Sequence, residues 1–503
     1  MTARVYLTIV LSIGFLFLTV LSFVMQTDEM ISETRSQIDG SAPKIKIMIH
    51  FDLKGAPPLI DYYEPLFQMF NALGIDSVLV EYEDTFPYRG PLTDVTISDA
   101  YSVENIQLLN DLSQKYNLKL VPLVQTFGHM EFVLKQQKFS HLSENMFALD
   151  SICPSDPQSL ILIEELVKQI RDLHPFSHAI HLGADEAYHV AEDQRCRDAL
   201  ASKFHNLTDN LKLNHISNIA QIARKYKFSE VYVWNDMFEH MTAEQMKQFK
   251  LDELVIPVVW GYKVDVTEPG EFTFKQNRLT SYFPNGMFEQ YGKTFNELVF
   301  GSAFKGANGI NSTFMEINRY LANLQSYHKL YLKFHQYLSG KVNQIVLTGW
   351  QRYKHDAPLC ELLPDGIPTL VEQVFYIRNW FMKSPTLNQT EVEKFLDCQP
   401  TDMNDVNFEY NGQVYVFHPS VEWRFLNCTF PGVGIYRLIE KDLRLALWKW
   451  AITRDTAELT VLRPKLESEL SKVYGSRTVN EWLRQNVDSV IQSTGFNNEI
   501  SGN

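Results

Sequence analysis

The chain has 503 residues, enough for one large domain or two to three average ones, and enough to bury a sizeable core. Hydrophobic residues at 45% and charged residues at 21% are an ordinary globular balance that excludes a disordered chain. The net charge of −14 argues against a nucleic-acid partner and leaves the substrate open.

Residues 5–25, VYLTIVLSIGFLFLTVLSFVM, carry no charge and are long enough to cross a bilayer as a helix. Arg4 precedes them, while Asp28, Glu29 and Glu33 follow. That asymmetry predicts a short cytoplasmic tail and signal-anchor helix over residues 1–25, a type II single-pass arrangement. The body would then lie in the lumen of the Golgi or another secretory compartment. A cleaved signal peptide, giving a secreted or lysosomal protein, is the alternative; its apolar part would be unusually long and no clean small-x-small site follows. Residues 26–43 read as a polar stem. Four glycosylation tripeptides, at Asn206, Asn311, Asn388 and Asn427, fit a lumenal body. Five cysteines show no zinc-ligand spacing. An oxidising lumen would allow two disulfides and one free thiol, with the pairing open; five buried thiols are the other reading.

Eight short apolar or β-branched runs then recur, at 44–50, 75–82, 118–124, 178–184, 230–236, 254–260, 297–303 and 344–350. Amphipathic stretches such as SVENIQLLNDLSQKYN and QSLILIEELVKQIRDL separate them. Strands alternating with helices imply a parallel sheet, and eight of them predict a closed (β/α)8 TIM barrel over residues 44–383. An open doubly wound sheet is the rival, but HFDLKGAPP after the first run is not a Gly-rich dinucleotide turn. The connection 261–296 lacks a convincing helix. Residues 384–503 predict a small structural C-terminal helical region, with helices near 435–455, 458–475 and 478–492.

In such a barrel the functional face lies at the carboxyl ends of the strands. Polar and aromatic residues gather there: His50, Asp52 and Lys54; Glu81, Glu83 and Asp84; His129 and Glu131; Asp185 and Glu186; Trp234 and Asp236; Trp260; Trp350 and Arg352. Three of the eight tryptophans at strand ends suggest an apolar wall around a carboxylate floor, which suits a sugar with its C–H faces and hydroxyls. Each residue also has an ordinary explanation: Trp in the core, Asp185 as a helix cap, His129 as a satisfied rim histidine, Asp52 with Lys54 as a surface pair. Convergence on one face favours function. His181, Asp185, Glu186 and His189 offer metal-ligand types, but there is no His-x-His after the first strand and no HExxH. His181 more simply hydrogen-bonds below the carboxylates, so no metal or other cofactor is expected.

A retaining glycosidase usually sets two carboxylates from different strands across the bond it breaks. Adjacent Asp185 and Glu186 fit instead the variant in which the substrate's 2-acetamido oxygen is the nucleophile. Glu186 would be the acid, its pKa raised by its neighbour, and Asp185 the ionised group orienting the acetamide. The motifs HLGADE, HFDLKGAPP, LVPLVQTFGHMEFVLK, VYVWNDMF, GSAFKGA and GWQRYKH resemble glycoside hydrolase family 20, the β-N-acetylhexosaminidases, over about residues 44–383. The resemblance is strongest to the hexosaminidase D branch. It implies the same roles for Asp185 and Glu186, a sugar pocket lined by Trp234, Trp260 and Trp350, and His129 as the strand-three histidine. It implies N-acetylhexosamine-terminated glycans as substrates.

Two departures stand out. Asp52 and Lys54 occupy the place of a strand-one arginine, and Lys305 that of a strand-seven tyrosine. The choice between N-acetylglucosamine and N-acetylgalactosamine therefore stays open, as does the oligomeric state. Another barrel hydrolase, or a membrane-anchored lectin without turnover, are the competing functions.

Overall fold

Alternation along the first strand sorts side chains between two layers. In β1 (Lys46–Asp52), Ile47, Ile49 and Phe51 face the surrounding helices, while Met48 faces inward. The computed structural model describes residues 44–269, 281–382 and 384–493. The remaining barrel strands are β2 (Ser77–Glu81), β3 (Lys119–Leu123), β4 (Ala179–His181), β5 (Glu230–Trp234), β6 (Ile256–Trp260), β7 (Leu298–Lys305) and β8 (Val342–Gly349). All neighbours are parallel, each strand lies beside its successor, and β8 pairs with β1 to close the barrel. Met48, with the branched Leu79, Val121, Val258, Val299 and Val346, fills the interior at the close packing a small barrel requires. The register sets Asp52 opposite Glu81, Glu81 opposite Leu123, and Leu123 opposite His181. Strand ends β1 to β4 are thereby level.

Helices cover the outside where the sequence predicts them. Val103–Lys115 begins in a capping box of Ser102 and Asn105, and Pro157–Leu173 begins with Asp156 as its cap and Pro157 in the first turn. After β6 a helix does form, Met287–Thr294, burying Met287, Phe288 and Tyr291. Two turns are too short to stand out as a periodic pattern.

The expected helices of the last hundred residues are present, as a continuous helical run from Val433 to Thr453, then Ala457–Leu470 and Ser476–Leu483. Two antiparallel hairpins were not expected. One joins Ser143–Asn145 to Ala148–Ile152; the other joins Val406–Tyr410 to Gln413–Phe417 through Asn411 and Gly412, both at positive φ. The described residues from Ile45 onward form one compact unit. Disulfides join Cys153 to Cys196 and Cys398 to Cys428, leaving Cys360 free and buried, which is the two-pair reading of the cysteines. The expected anchor and stem lie outside the described residues. Among the described residues no helix is long and apolar enough to cross a membrane.

Candidate functional site

The chain leaves β4 through Leu182-Gly183-Ala184 and immediately presents Asp185 and Glu186. Four non-glycine residues at the ends of β2, β3 and β4 hold positive φ: Glu83, His129, Ala184 and Glu186. Such conformations cost free energy and gather where side chains must be aimed against local preference. Gly128 makes one of these turns possible, because a Cβ there would lie 2.0 Å from the Asp185 carbonyl oxygen. Gly128→Ala must displace the Asp185–Glu186 backbone. It is expected to lower kcat at least about tenfold, since misplacements near 1 Å can cost up to about 10²-fold; kinetics beside a thermal melt would separate this from unfolding.

His129 brings the two carboxylates together. Its Nε2 lies 3.2 Å from Glu186 Oε2 and 3.5 Å from Asp185 Oδ2. Asp236, after β5, accepts the Glu186 backbone N–H at 2.8 Å and the Trp260 indole N–H at 3.2 Å. Both of its oxygens are therefore engaged. The Tyr188 hydroxyl donates to the remaining Glu186 oxygen.

Charge is distributed otherwise than the sequence suggests. Burial raises Asp185 to about 6, with the Glu186 and Glu81 carboxylates adding to it against the pull of His129. Glu186, expected to be the raised partner, is lowered: burial opposes this, but His129, Tyr188 and Lys354 outweigh it. Burial would lower His129, yet the two carboxylates carry it up to about 10. The histidine is the reason, because it lies closer to Glu186 and bonds to it.

Beneath the pair, Trp234 is only 1% exposed and forms the floor, packed on His181 with ring centroids 4.4 Å apart. It is therefore a floor to the pocket and not an open wall. His181 accepts the Gly183 N–H at 2.9 Å on Nδ1, and burial lowers it to about 3, so it is neutral below the carboxylates. Trp260 and Trp350 are partly exposed and stand either side of Tyr262, at 5.3 and 6.3 Å between centroids. Asp185 Oδ1 lacks a partner there, while the Tyr262 hydroxyl lies close enough to the Trp350 indole N–H and to Thr348 to interact with both. Burial keeps the Tyr262 phenol protonated against the opposing hydrogen bonds of Thr348 and Trp350, with Asp185 and Glu186 adding to the effect of burial. The pocket thus offers a hydroxyl and an indole N–H near an unsatisfied carboxylate oxygen.

A second network fills the β1 and β2 ends. Lys54 pairs with Glu81 at 3.1 Å, Asp52 at 3.2 Å and Glu83 at 3.7 Å, and lies 5.3 Å from the Trp350 ring centre. His50 bonds Glu81 at 3.1 Å, and His355 bridges Glu83 at 2.7 Å and Asp84 at 3.2 Å.

Three expectations change here. Asp52 is a clamp, accepting the backbone N–H groups of Lys54, Gln351 and Arg352 at 2.9, 2.8 and 3.3 Å, so its oxygens are used within the protein. Arg352 does not line the pocket, because its guanidinium bonds Glu481 at 2.6 Å and the Ala357 carbonyl at 2.7 Å. Lys305 is equally committed, to the Trp350 and Glu361 carbonyls and the Gln351 amide oxygen. The C-terminal helix bearing Glu481 is thus more than a remote support. Thr478 also bonds the Gly55 carbonyl and Gln485 the Leu359 backbone, bracing the loops after β1 and β8.

His189, weighed as a metal ligand, turns instead to Glu192 and Asp150. Among the described residues, Glu144 with Cys153 and Cys196 has metal-ligand proximity, but those cysteines form a disulfide and the Glu144 carboxylate caps three backbone N–H groups. The four sequon asparagines are all exposed. Sequence reasoning overlooked Tyr188 and Tyr262, although each lies two residues from a residue it had singled out.

Residues 81–266 match glycosyl hydrolase family 20, catalytic domain. Hexosaminidase D of Bos taurus is 37% identical over 330 residues, covering 64% of this chain and 89% of that protein. Hexosaminidase D of Homo sapiens is 36% identical over 337 residues, covering 66% of this chain and 65% of that protein. The chain therefore spans just under two-thirds of the human relative. A solved β-N-acetylhexosaminidase from Bacteroides fragilis is 14% identical, with a TM-score of 0.49 over 71% of this chain and 70% of its own.

Proposed function

The chain belongs to glycoside hydrolase family 20, in its hexosaminidase D branch, and on that premise we propose that it removes terminal non-reducing N-acetylhexosamine from glycans or glycoconjugates. The observation that carries this reading is the Asp185–Glu186 pair, gathered by His129, with a free Asp185 Oδ1 near the Tyr262 hydroxyl and the Trp350 indole N–H. An acetamide has one carbonyl and one N–H, and the pocket holds the Tyr262 hydroxyl and Trp350 indole N–H as donors with Asp185 Oδ1 as acceptor. Buried polar groups are nearly always paired, so the free Asp185 Oδ1 is an acceptor available to a ligand's N–H.

The mechanism follows from that pose. Tyr262 and Trp350 hold the acetamide, and Asp185 accepts its N–H, which directs the carbonyl oxygen to the anomeric carbon. The oxygen–carbon bond forms as the bond to the leaving oxygen breaks, and Glu186 delivers its proton to that oxygen. The oxazolinium positive charge then lies beside Asp185. Water attacks the anomeric carbon as the bond to the acetamide oxygen breaks and the acetamide is restored, Glu186 takes the water's proton, and the configuration is retained.

The test is turnover of nitrophenyl β-N-acetylglucosaminide, β-N-acetylgalactosaminide and plain β-glucoside by the full chain. Hydrolysis of acetamido sugars alone is expected, and their ratio gives the specificity. Equal turnover of the glucoside would sink acetamide participation. Binding of the acetamido sugars without hydrolysis would favour a lectin.

The productive state carries one proton on the Asp185–Glu186 pair. As Asp185 titrates at about 6, kcat/KM should fall above roughly that pH, where the pair loses its last proton. The His129 imidazolium lowers both carboxyls, so His129→Asn must raise both and move this basic limb to higher pH. A pH–rate profile whose basic limb stays put in the variant would remove His129 from the electrostatics.

We also propose that the enzyme is a type II membrane protein with its barrel in the secretory lumen. Support comes from the uncharged run 5–25, the two disulfides and the four exposed sequon asparagines. Sequencing the mature N-terminus and testing for sensitivity to a glycan-removing endoglycosidase would decide it.

A further inference from the structure

The acid in this mechanism has a neighbour that the acetamide pocket does not use. Tyr188 puts its hydroxyl on Glu186 while 68% of the residue stays exposed. The Glu186 side chain is itself 29% exposed. Because the acid delivers its proton to the leaving oxygen, what borders its open edge borders the leaving group.

A second apolar element stands on the adjoining loop. The hairpin Ser143–Asn145/Ala148–Ile152 carries Met146 and Phe147 at its tip, 77% and 92% exposed. A single exposed apolar side chain needs no explanation, but a neighbouring group held open on a braced loop does. The bracing is extensive. The strand Ala148–Ile152 bonds the loop after β3, with Met130 N–H to the Asp150 carbonyl at 2.9 Å and Ile152 N–H to the Phe127 carbonyl at 3.0 Å. Toward the loop that carries Tyr188, Glu144 accepts the N–H groups of Ala191, Glu192 and Asp193 at 3.0, 3.1 and 2.8 Å. Asn145 donates to Glu192 at 2.9 Å, and His189 lies 3.7 Å from Asp150. Finally, the Cys153–Cys196 disulfide ties the residue after the hairpin to the helix after the Tyr188 loop. His129, on one of these loops, and Glu186, on the other, are themselves in contact.

We propose that Tyr188 and the Met146–Phe147 tip form the leaving-group subsite, which takes the sugar next to the scissile bond with its C–H face against the aromatic rings. This rests on the hydrolase reading and deepens it. A pyranose face matches an aromatic ring in size and in apolar character, and its hydroxyls remain in water at an exposed site. The enzyme is thereby suited to oligosaccharides over simple glycosides. Tyr188 also has to yield its hydrogen bond when the leaving oxygen approaches Glu186, so it senses occupancy of the subsite.

The experiment compares kcat/KM for a β-linked N-acetylhexosaminyl-hexose disaccharide with that for the methyl glycoside of the same N-acetylhexosamine. In the full chain the disaccharide should be preferred. Phe147→Ala and Tyr188→Ala should each reduce that preference roughly two- to tenfold, the scale of one lost stacking contact. Tyr188→Phe should keep the preference and move the basic limb of the pH profile upward, because its hydroxyl lowers Glu186. A merely structural tyrosine would not move that limb. No preference in the parent chain, or a preference unchanged in both alanine variants, overturns the subsite. If Phe147→Ala instead weakens binding to phosphatidylcholine vesicles and leaves the preference intact, the tip serves a lipid surface and the proposal falls. Absence of turnover on either glycoside would sink the hydrolase reading and the subsite with it.

Discussion

Glu186→Gln is expected to lower kcat by roughly 10²- to 10⁴-fold on alkyl and sugar glycosides, the range a lost general acid produces. Glutamine keeps the shape of the side chain and can still receive the Tyr188 hydroxyl, so the loss reports the proton and not the packing. The effect must depend on the leaving group. A dinitrophenolate needs no proton to depart, and its glycoside should retain most of its first-step rate in the variant. Pre-steady-state release of dinitrophenol measures that step, while steady-state turnover also reports the second step, in which Glu186 is the base. Equal losses for dinitrophenyl and methyl glycosides would remove Glu186 from the acid role.

The barrel was legible because its strands are covered on both faces, which turns them into short apolar runs instead of alternating ones. Each of the eight expected runs overlaps a strand, with ends moved by a few residues. The hairpin at Val406–Phe417 went unread despite a strong signal, Asn-Gly between FEY and QVYVF. Its strands are short and half-exposed, and a helical expectation for the whole region absorbed them. The hairpin at 143–152 has no such turn dipeptide; the loops it bonds to, not its own sequence, hold it in place.

At the site, Asp185, Glu186, His129, Asp236, Trp260 and Trp350 come together as strand-end position implies. That same signal fails for Arg352 and Lys305. Whether a strand-end cation faces the pocket or a distant partner depends on contacts such as Glu481, which is 129 positions away. Protonation was equally hidden. Adjacency of two carboxylates says that one is raised, but which one depends on His129 and Tyr188, and only the folded geometry brings both onto Glu186. Tyr262 escaped because a hydroxyl was sought on strand seven, whereas this one stands beside Trp260 just past β6.

Asp185→Asn should cost about 10²- to 10³-fold in kcat, comparable to removing one preorganised electrostatic group from a transition state. Its signature differs from that of Glu186→Gln. Asparagine cannot offset the oxazolinium charge, and its amide can turn an N–H toward the acetamide N–H that Asp185 would accept. Both faults act on ring formation, before the leaving group matters, so dinitrophenyl and methyl glycosides should slow together. Substituting the acetamide with fluorines weakens its carbonyl as a nucleophile. In the parent chain kcat should therefore fall with each added fluorine, and in Asp185→Asn at least as steeply if the acetamide still attacks. A rate insensitive to fluorine in the parent chain would mean that the acetamide takes no part, and Asp185 would then need another role. The buried position makes one control necessary: Asp185 is surrounded by Glu186, Glu81 and His129, so the neutral variant relieves carboxylate repulsion while it leaves His129 with one partner fewer. A folded variant with an unchanged or higher Tm and a lost kcat is the expected pairing, since a site selected for charge at the transition state is strained in its absence.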